Sequence, residues 1–430
     1  MIQVSRFFAV AALTLGAAIV GSAATPAAAA SLNVTRATLS NGMRVVVVHV
    51  PLAPVVTAEI NYKIGSDDQS IAGLAHATEH MMFRGSKTLS SSQLMDSVDI
   101  TGGDFNADTQ SEITQYFFTV PAQYLGIALN IERSRATGLL MSQTQWNDER
   151  KAITQEVTQD NSNAFRRLIT KMQTALLGGT PYAKNGLGTV YDFAHTINHP
   201  QLIDFYNEWY HPNNAVYVIV GDVDGPTTVA QIKALFGSIP AAKLPARAPV
   251  VLRPVSAHVY KDTSDLPVTL VLLGYRLPGF DSKDSAAAQV LGDVLSSQRG
   301  DLFGLAASGK ALQAGFELQQ YPKASVGIAL AVVPVSTKPE TIDAQVRDVI
   351  DGYRKTGVPS DLVEAEKRRE IAQLEFNATS IEGLASEWSQ AVAVQNLKSP
   401  DDEIADFKGV TVADVNRVLR TYLDNSRVIT

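Results

Sequence analysis

Apolar residues recur along this chain with two different periods. "RVVVVHV" (44–50) is an apolar run of strand length, and "VVTAEINYK" (55–63) alternates Val56, Ala58, Ile60 and Tyr62 with Thr57, Glu59, Asn61 and Lys63. That alternation is the period of a half-buried strand. Between 71 and 84 the spacing turns helical. Ile71, Leu74, Ala75, Thr78, Met81 and Met82 fall on one face, while His76, Glu79, His80 and Phe83 form the opposite stripe, with Gly85 as a stop. A glycine turn at Gly102-Gly103, a strand "ITQYFFTV" (113–120) and one long helical stretch from about Gln123 to Leu177 follow. "NAVYVIVGDVD" (214–224) closes this half with another strand.

The plan then restarts. "GSIPAAKLPARAPVVLRPV" (237–255), with four prolines among small residues, reads as a linker. Beyond it, "PVTLVLLGYRLPGFDSKDSAAAQVLGDVL" at 267 parallels "PVVTAEINYKIGSDDQSIAGLAHATEHM" at 54, with Tyr62-Lys63 opposite Tyr275-Arg276. In that register His76, Glu79 and His80 stand opposite Gln289, Gly292 and Asp293, so the second copy keeps the strand–turn–helix plan without the histidines. The expected fold class is α+β, as an internal repeat: two homologous α/β-sandwich-type domains, each a mixed sheet packed by helices. Their expected bounds are 31–240 and 256–430, joined by a linker at 241–255.

Composition narrows the setting. Of 430 residues, 45% are hydrophobic, 18% charged and 7% aromatic, an ordinary globular balance with apolar material for more than one core. The net charge of −7 argues against a nucleic-acid partner. Residues 1–30 stand apart, with Arg6 early, an apolar run from Phe7 to about Val20, and Ala28-Ala29-Ala30 before Ser31. This is the layout of a secretory signal peptide cleaved before Ser31. The competing reading, a membrane anchor, needs ~20 apolar residues to span, and the run is shorter. A mature chain exported across the inner membrane to the periplasm is the expectation. There is no cysteine, so any metal must be held by His, Asp or Glu.

Two of the chain's seven histidines, His76 and His80, lie four apart with Glu79 between them. On a helix both imidazoles share one face and can reach one zinc ion, while Glu79 on that face can hold a water. The pattern H-x-x-E-H also suits a solvated helix face with two ordinary histidines, so the remaining donors matter. A catalytic zinc takes a third protein ligand, usually a carboxylate. "WNDERKAITQEVTQD" (146–160) places Glu149 and Glu156 seven apart on one helical face, Glu156 standing 76 residues after His80. By themselves these two read as surface carboxylates.

With that spacing the sequence resembles the pitrilysin/insulinase family of zinc metallopeptidases, the inverzincins. The likeness continues through "LSNGMRVVVV", "GGDFNADTQSEITQYFFTVP", "TPYAKNGLGT" and "FYNEWYHPNNAVYVIVGDVD", and into the second domain at "YRLPGFDSKDSAAAQVLGDVLSS". The resemblance implies Zn²⁺ held by His76, His80 and Glu156, Glu79 as general base, and Glu149 supporting the ligands from behind. It further implies an edge strand at Asn106, Ala107, Asp108 and Thr109 that binds peptide substrate. The implied activity is zinc-assisted hydrolysis of extended peptides or unfolded polypeptide segments. His49, His195, His199, His211 and His258 receive no role.

One family feature is missing. The family's second domain carries an Arg/Tyr pair that clamps substrate near the zinc. In "SSQRGDLFGLAASGKALQAGFE" (296–317) the lone Arg299 comes too early, and Leu312 and Gln313 occupy the tyrosine's place. The chain is therefore expected to be the zinc-bearing half of a two-part enzyme. Its partner would be a homologous subunit or a C-terminal continuation supplying the pair, since "NSRVIT" (425–430) reads like the opening of a final strand. A non-catalytic assembly homologue and a periplasmic solute-binding protein are the competing functions. Neither needs the full set of zinc donors.

Overall fold

The computed structural model describes residues 32–430, and the segment read as a signal peptide lies outside them. Six strands build the first sheet: β1 (Asn33–Thr38), β2 (Arg44–His49), β3 (Val55–Tyr62), β4 (Asp104–Thr109), β5 (Thr114–Pro121) and β6 (Ala215–Gly221). Their order is β1-β2-β6-β3-β5-β4, with β2–β6 parallel and every other pairing antiparallel. Seven α-helices belong to this half among the described residues: α1 (Leu74–Met81), α2 (Ser91–Thr101), α3 (Leu125–Gly138), α4 (Gln143–Ser162), α5 (Ala164–Leu177), α6 (His199–Trp209) and α7 (Gly225–Phe236).

The single helical stretch expected over 123–177 is three helices, α3 to α5. The breaks are chemical. Ser142 caps α4 by accepting from the Gln145 N–H, while the Gln145 side chain returns to the Ser142 N–H. Asn163 caps α5, its side chain accepting from Phe165 and Arg166 N–H groups. Both caps are polar residues within a helical periodicity, and the periodicity continues through them. The backbone turns there because the caps satisfy the freed N–H groups.

A second correction concerns β3. Its alternation predicts one buried face, yet Val56 to Tyr62 are all buried. The second half of the chain explains this. Its sheet consists of β7 (Val268–Pro278), β8 (Gln313–Gln319) and β9 (Ala324–Pro334) in the order β7-β9-β8, all antiparallel. The helices are α8 (Ser285–Ser296), α9 (Asp301–Ala307), α10 (Pro339–Thr356), α11 (Ser360–Asn377), α12 (Ile381–Ser389), α13 (Pro400–Gly409) and α14 (Val412–Tyr422). Helix α12 crosses to the first sheet. Leu384, Ala385 and Trp388 pack with Val46, Val48, Val218 and Val220 on the face that the first half leaves uncovered.

The exchange is reciprocal. Helix α5 of the first half lays Met172, Leu176 and Leu177 on Leu272, Val326, Ile328 and Leu330 of the second sheet. Each sheet thus buries one face under its own helices and the other under a helix from the opposite half. Every large apolar side chain so buried stabilises by ~1.5–3 kcal/mol, so the two halves hold each other in register.

The repeat is visible in the strand order, because β7-β9-β8 reproduces β3-β5-β4. Helix α8 follows β7 as α1 follows β3. The rest of the first sheet's plan survives only as single bridges. Ile429 pairs antiparallel with Gly274 of β7 and parallel with His258, as β6 does with β3 and β2. Between α7 and β7, residues 240–267 run without regular structure apart from the bridge at His258. No helix among the described residues is long and apolar enough to cross a membrane.

Candidate metal centre

Helix α1 carries His76, Glu79 and His80, and helix α4 lies beside it with Glu149 and Glu156 two turns apart. The apolar stripe of α1 sets its rotation: Leu74, Ala75, Met81 and Met82 join the main core of the first half. Its opposite face opens on a cleft of about 1520 Å³ between the halves. The cleft is lined by α1, β4 and α4 on one side and by Leu270, Leu330 and Val332 of the second sheet on the other.

The three donors converge. His76 Nε2 and His80 Nε2 lie 3.1 Å apart, and Glu156 Oε2 lies 3.6 Å from the first and 3.4 Å from the second. Ligand bonds of ~2.0–2.1 Å in tetrahedral geometry imply donor separations of roughly 3.3–3.4 Å. The observed sides of 3.1, 3.4 and 3.6 Å bracket that separation. Among the described residues, His76, His80 and Glu156 form the group whose ligand atoms gather closely enough to hold one metal ion.

The far nitrogens of both imidazoles are engaged. His80 Nδ1 lies 2.8 Å from Glu149 Oε1, and His76 Nδ1 lies 3.2 Å from the Leu187 carbonyl. Donating from Nδ1 leaves the Nε2 lone pairs facing the shared point, the tautomer that metal binding needs. The Leu187 contact depends on two glycines. Gly73 at the start of α1 has φ +87° and Gly188 has φ +82°. A Cβ built on either would come within 2.8 Å of the other's Cα. Only glycines let the 185–188 loop approach α1 that closely.

Glu79 faces the cleft, where its Oε2 accepts a 2.5 Å hydrogen bond from Thr109 Oγ1. Strand β4 is the edge of the first sheet, one side paired with β5 and the other open to the cleft. Asn106, Ala107, Asp108 and Thr109 are all on it. The Asn106 side chain accepts from the Ala107 N–H, and Ala107 is buried.

Two partners of the site, the Leu187 carbonyl and Arg84, are not expected from the sequence, and Thr109, expected in substrate binding, also reaches Glu79. The Leu187 carbonyl is backbone and leaves no residue signal. The Thr109 hydroxyl reaches Glu79 only because β4 folds beside α1. Arg84, whose guanidinium pairs with Glu149 Oε2, sits four residues after His80, a spacing that was legible. The other histidines stay apart from this centre: His49 bonds the Val223 carbonyl, His199 that of Met141 and His211 that of Asn207.

Residues 44–190 match the model of the insulinase family, peptidase family M16, and residues 196–370 match that of the peptidase M16 inactive domain. The chain belongs to the pitrilysin/insulinase family. Among family relatives, zinc protease PqqE of Helicobacter pylori is 25% identical over 412 residues, covering 91% of each chain. An uncharacterized zinc protease of Streptomyces coelicolor is 29% identical over 222 residues, 51% of this chain and 48% of its own length. The crystal structure of a protease from H. pylori shares the fold with a TM-score of 0.85 at 22% identity, covering 93% of this chain and 98% of that one. The periplasmic protease PqqL of Escherichia coli superposes with a TM-score of 0.76 at 21% identity, over 94% of this chain but only 48% of PqqL.

Proposed function

We propose that this chain is a zinc endopeptidase acting on extended peptides or unfolded polypeptide segments. His76, His80 and Glu156 would hold the metal and Glu79 would serve as general base. The observation that carries the reading is the convergence of His76 Nε2, His80 Nε2 and Glu156 Oε2 on one point, beside a carboxylate that is not part of the triangle. The relatives named zinc proteases support the same chemistry.

Zinc bound there supplies Lewis acidity, lowering the pKa of a water and polarising the scissile carbonyl. Glu79 takes a proton from the attacking water and delivers it to the leaving nitrogen. Thr109 holds the Glu79 carboxylate toward the cleft. The open edge of β4 over Asn106–Thr109 accepts a substrate segment as an added strand, and backbone pairing of that kind selects extended chains over particular sequences. Glu149 and the Leu187 carbonyl keep the two imidazoles oriented.

The leader-like residues 1–30 support export, and periplasmic PqqL is a neighbour in fold. A homologous partner half, separate or continuous with this chain, would supply the missing Arg/Tyr pair. Arg299 is occupied 2.5 Å from Asp361, away from the cleft lining. PqqL, of which this chain matches 48%, illustrates a longer arrangement.

The test is zinc analysis of the purified chain with digestion of an unstructured peptide mixture, with and without chelator and with and without a homologous companion. One zinc per centre and chelator-sensitive cleavage that rises when the companion is added are expected. A chain free of zinc under zinc-replete conditions, and inert with or without a companion, would sink the reading. Full activity of the monomer alone would retain the peptidase and remove the partner.

A further inference from the structure

We infer that Arg84 is a positioning residue for the metal centre, acting on His80 through Glu149. The inference rests on the reading of His76, His80 and Glu156 as the metal's ligands.

Glu149 is the middle of a three-part chain. One oxygen lies 2.8 Å from His80 Nδ1, and the other pairs with the Arg84 guanidinium. Its side chain is only 7% exposed, so water does little to hold it in place. Apart from Arg84, Oε2 has no hydrogen-bond partner and is shut away from solvent. A carboxylate oxygen buried that way is strongly destabilised, and its side chain would turn toward any other donor. Arg84 removes that pull and fixes the plane in which Oε1 meets His80.

Arg84 is itself fastened at both ends. It lies in the turn between α1 and Gly85, where its carbonyl accepts a 2.5 Å bond from Gln145 Nε2. Gln145 is the residue that closes the capping box of α4, four positions before Glu149. The backbone of Arg84 therefore grips the first turn of α4, and its side chain grips the next. The end of the histidine helix is tied to the carboxylate helix at two points, and the upper tie ends on a proposed ligand's own hydrogen-bond partner.

A guanidinium suits this place better than an ammonium. Its planar fork holds a carboxylate in one orientation, whereas a lysine offers a point charge on a flexible stem. The Arg84 side chain is 40% exposed, so replacing it leaves the core intact.

The experiment is zinc titration of the full chain against a competing chelator, with folding followed by circular dichroism. Arg84→Met should weaken zinc binding by roughly tenfold, the lower end of what partners behind a ligand contribute. Arg84→Lys should recover part of the loss. Glu149→Gln should lose roughly 10–100-fold, and Arg84→Met combined with it should lose no more than Glu149→Gln alone. That non-additivity marks action through Glu149, and a merely structural role would not produce it. Unchanged zinc affinity in Arg84→Met, with Glu149→Gln impaired, overturns the inference and leaves the metal site standing. Fully additive losses overturn it as well. Wild-type protein that binds no zinc overturns the underlying ligand reading instead, and the inference with it.

Discussion

The hydroxyl of Thr109 donates a 2.5 Å hydrogen bond to Glu79, tying the last residue of the open edge strand to the proposed base. The strand that would hold substrate and the carboxylate that would move its protons are thus one unit. Glu79→Gln should lower peptide turnover by roughly 10²–10⁴-fold, the usual contribution of a general base, while zinc stays bound. Thr109→Val removes a hydrogen bond to a charged group, ~1.5–3 kcal/mol, so turnover should fall roughly 10- to 100-fold. Thr109→Ser should retain most activity. Steady-state kinetics with metal analysis checks the set, and near-normal turnover by Glu79→Gln means the base lies elsewhere.

Removal of a proposed ligand should look different. His76→Ala, His80→Ala or Glu156→Ala leaves two donors of the triangle, too few for a tetrahedral site that keeps one position open. Each variant should lose zinc and activity together, and added zinc should not restore turnover at concentrations that saturate the wild type. Zinc content at the wild-type level in Glu156→Ala would remove that residue from the ligand set.

The sequence displayed this centre unevenly, for physical reasons. His76, Glu79 and His80 are local on one helix, so period alone places them on a shared stripe, and Glu156 and Glu149 are equally local on theirs. Nothing local says that the two helices adjoin, and the spacing of 76 residues carries that only by resemblance to a family. Thr109 and Leu187 act across elements and had no periodic signature. In the fold, the strand–turn–helix repeat could be anticipated from Tyr62-Lys63 and Tyr275-Arg276: Tyr62 is the last residue of β3 with Lys63 just beyond it, and Tyr275 and Arg276 lie shortly before the end of β7. The exchange of α5 and α12 could not. An amphipathic helix states that it has an apolar face but not which sheet it meets, and β3's polar residues Glu59 and Asn61 read as solvent-facing until α12 covers them.

Trp388 measures what that exchange contributes. It is 3% exposed, seated on the valines of β2 and β6 from the opposite half. Trp388→Ala should destabilise the chain by ~3–5 kcal/mol, seen as a lower urea midpoint. Because α12 comes from the second half and the sheet from the first, the loss should appear in probes of both halves at once. Unfolding of the second half alone, with the first unaffected, would show that the halves do not depend on this helix.

Beside Trp388 the same interface holds a titrating group. Glu59 is buried in the middle of β3, where burial is the main influence on its carboxyl and the Asp108 and Glu382 charges add to it. Together these outweigh hydrogen bonds from Ser389 and Gln115 and push its pKa from an ordinary 4.5 up to about 8. Between those values the folded chain keeps a proton that the unfolded chain has released. Stability from this group is therefore fully present below about pH 4.5 and is lost as pH rises through about 8. The slope is at most ~1.4 kcal/mol per pH unit, and relaxation around the carboxyl reduces it. Glu59→Gln keeps the neutral shape and an acceptor oxygen for Gln115 without a titrating proton. It should remove the slope, so the variant gains on the wild type as pH rises from 6 to 8.5, read as urea midpoints at each pH. Parallel stability curves for the two proteins across that range would show that Glu59 is charged in the folded state at neutral pH.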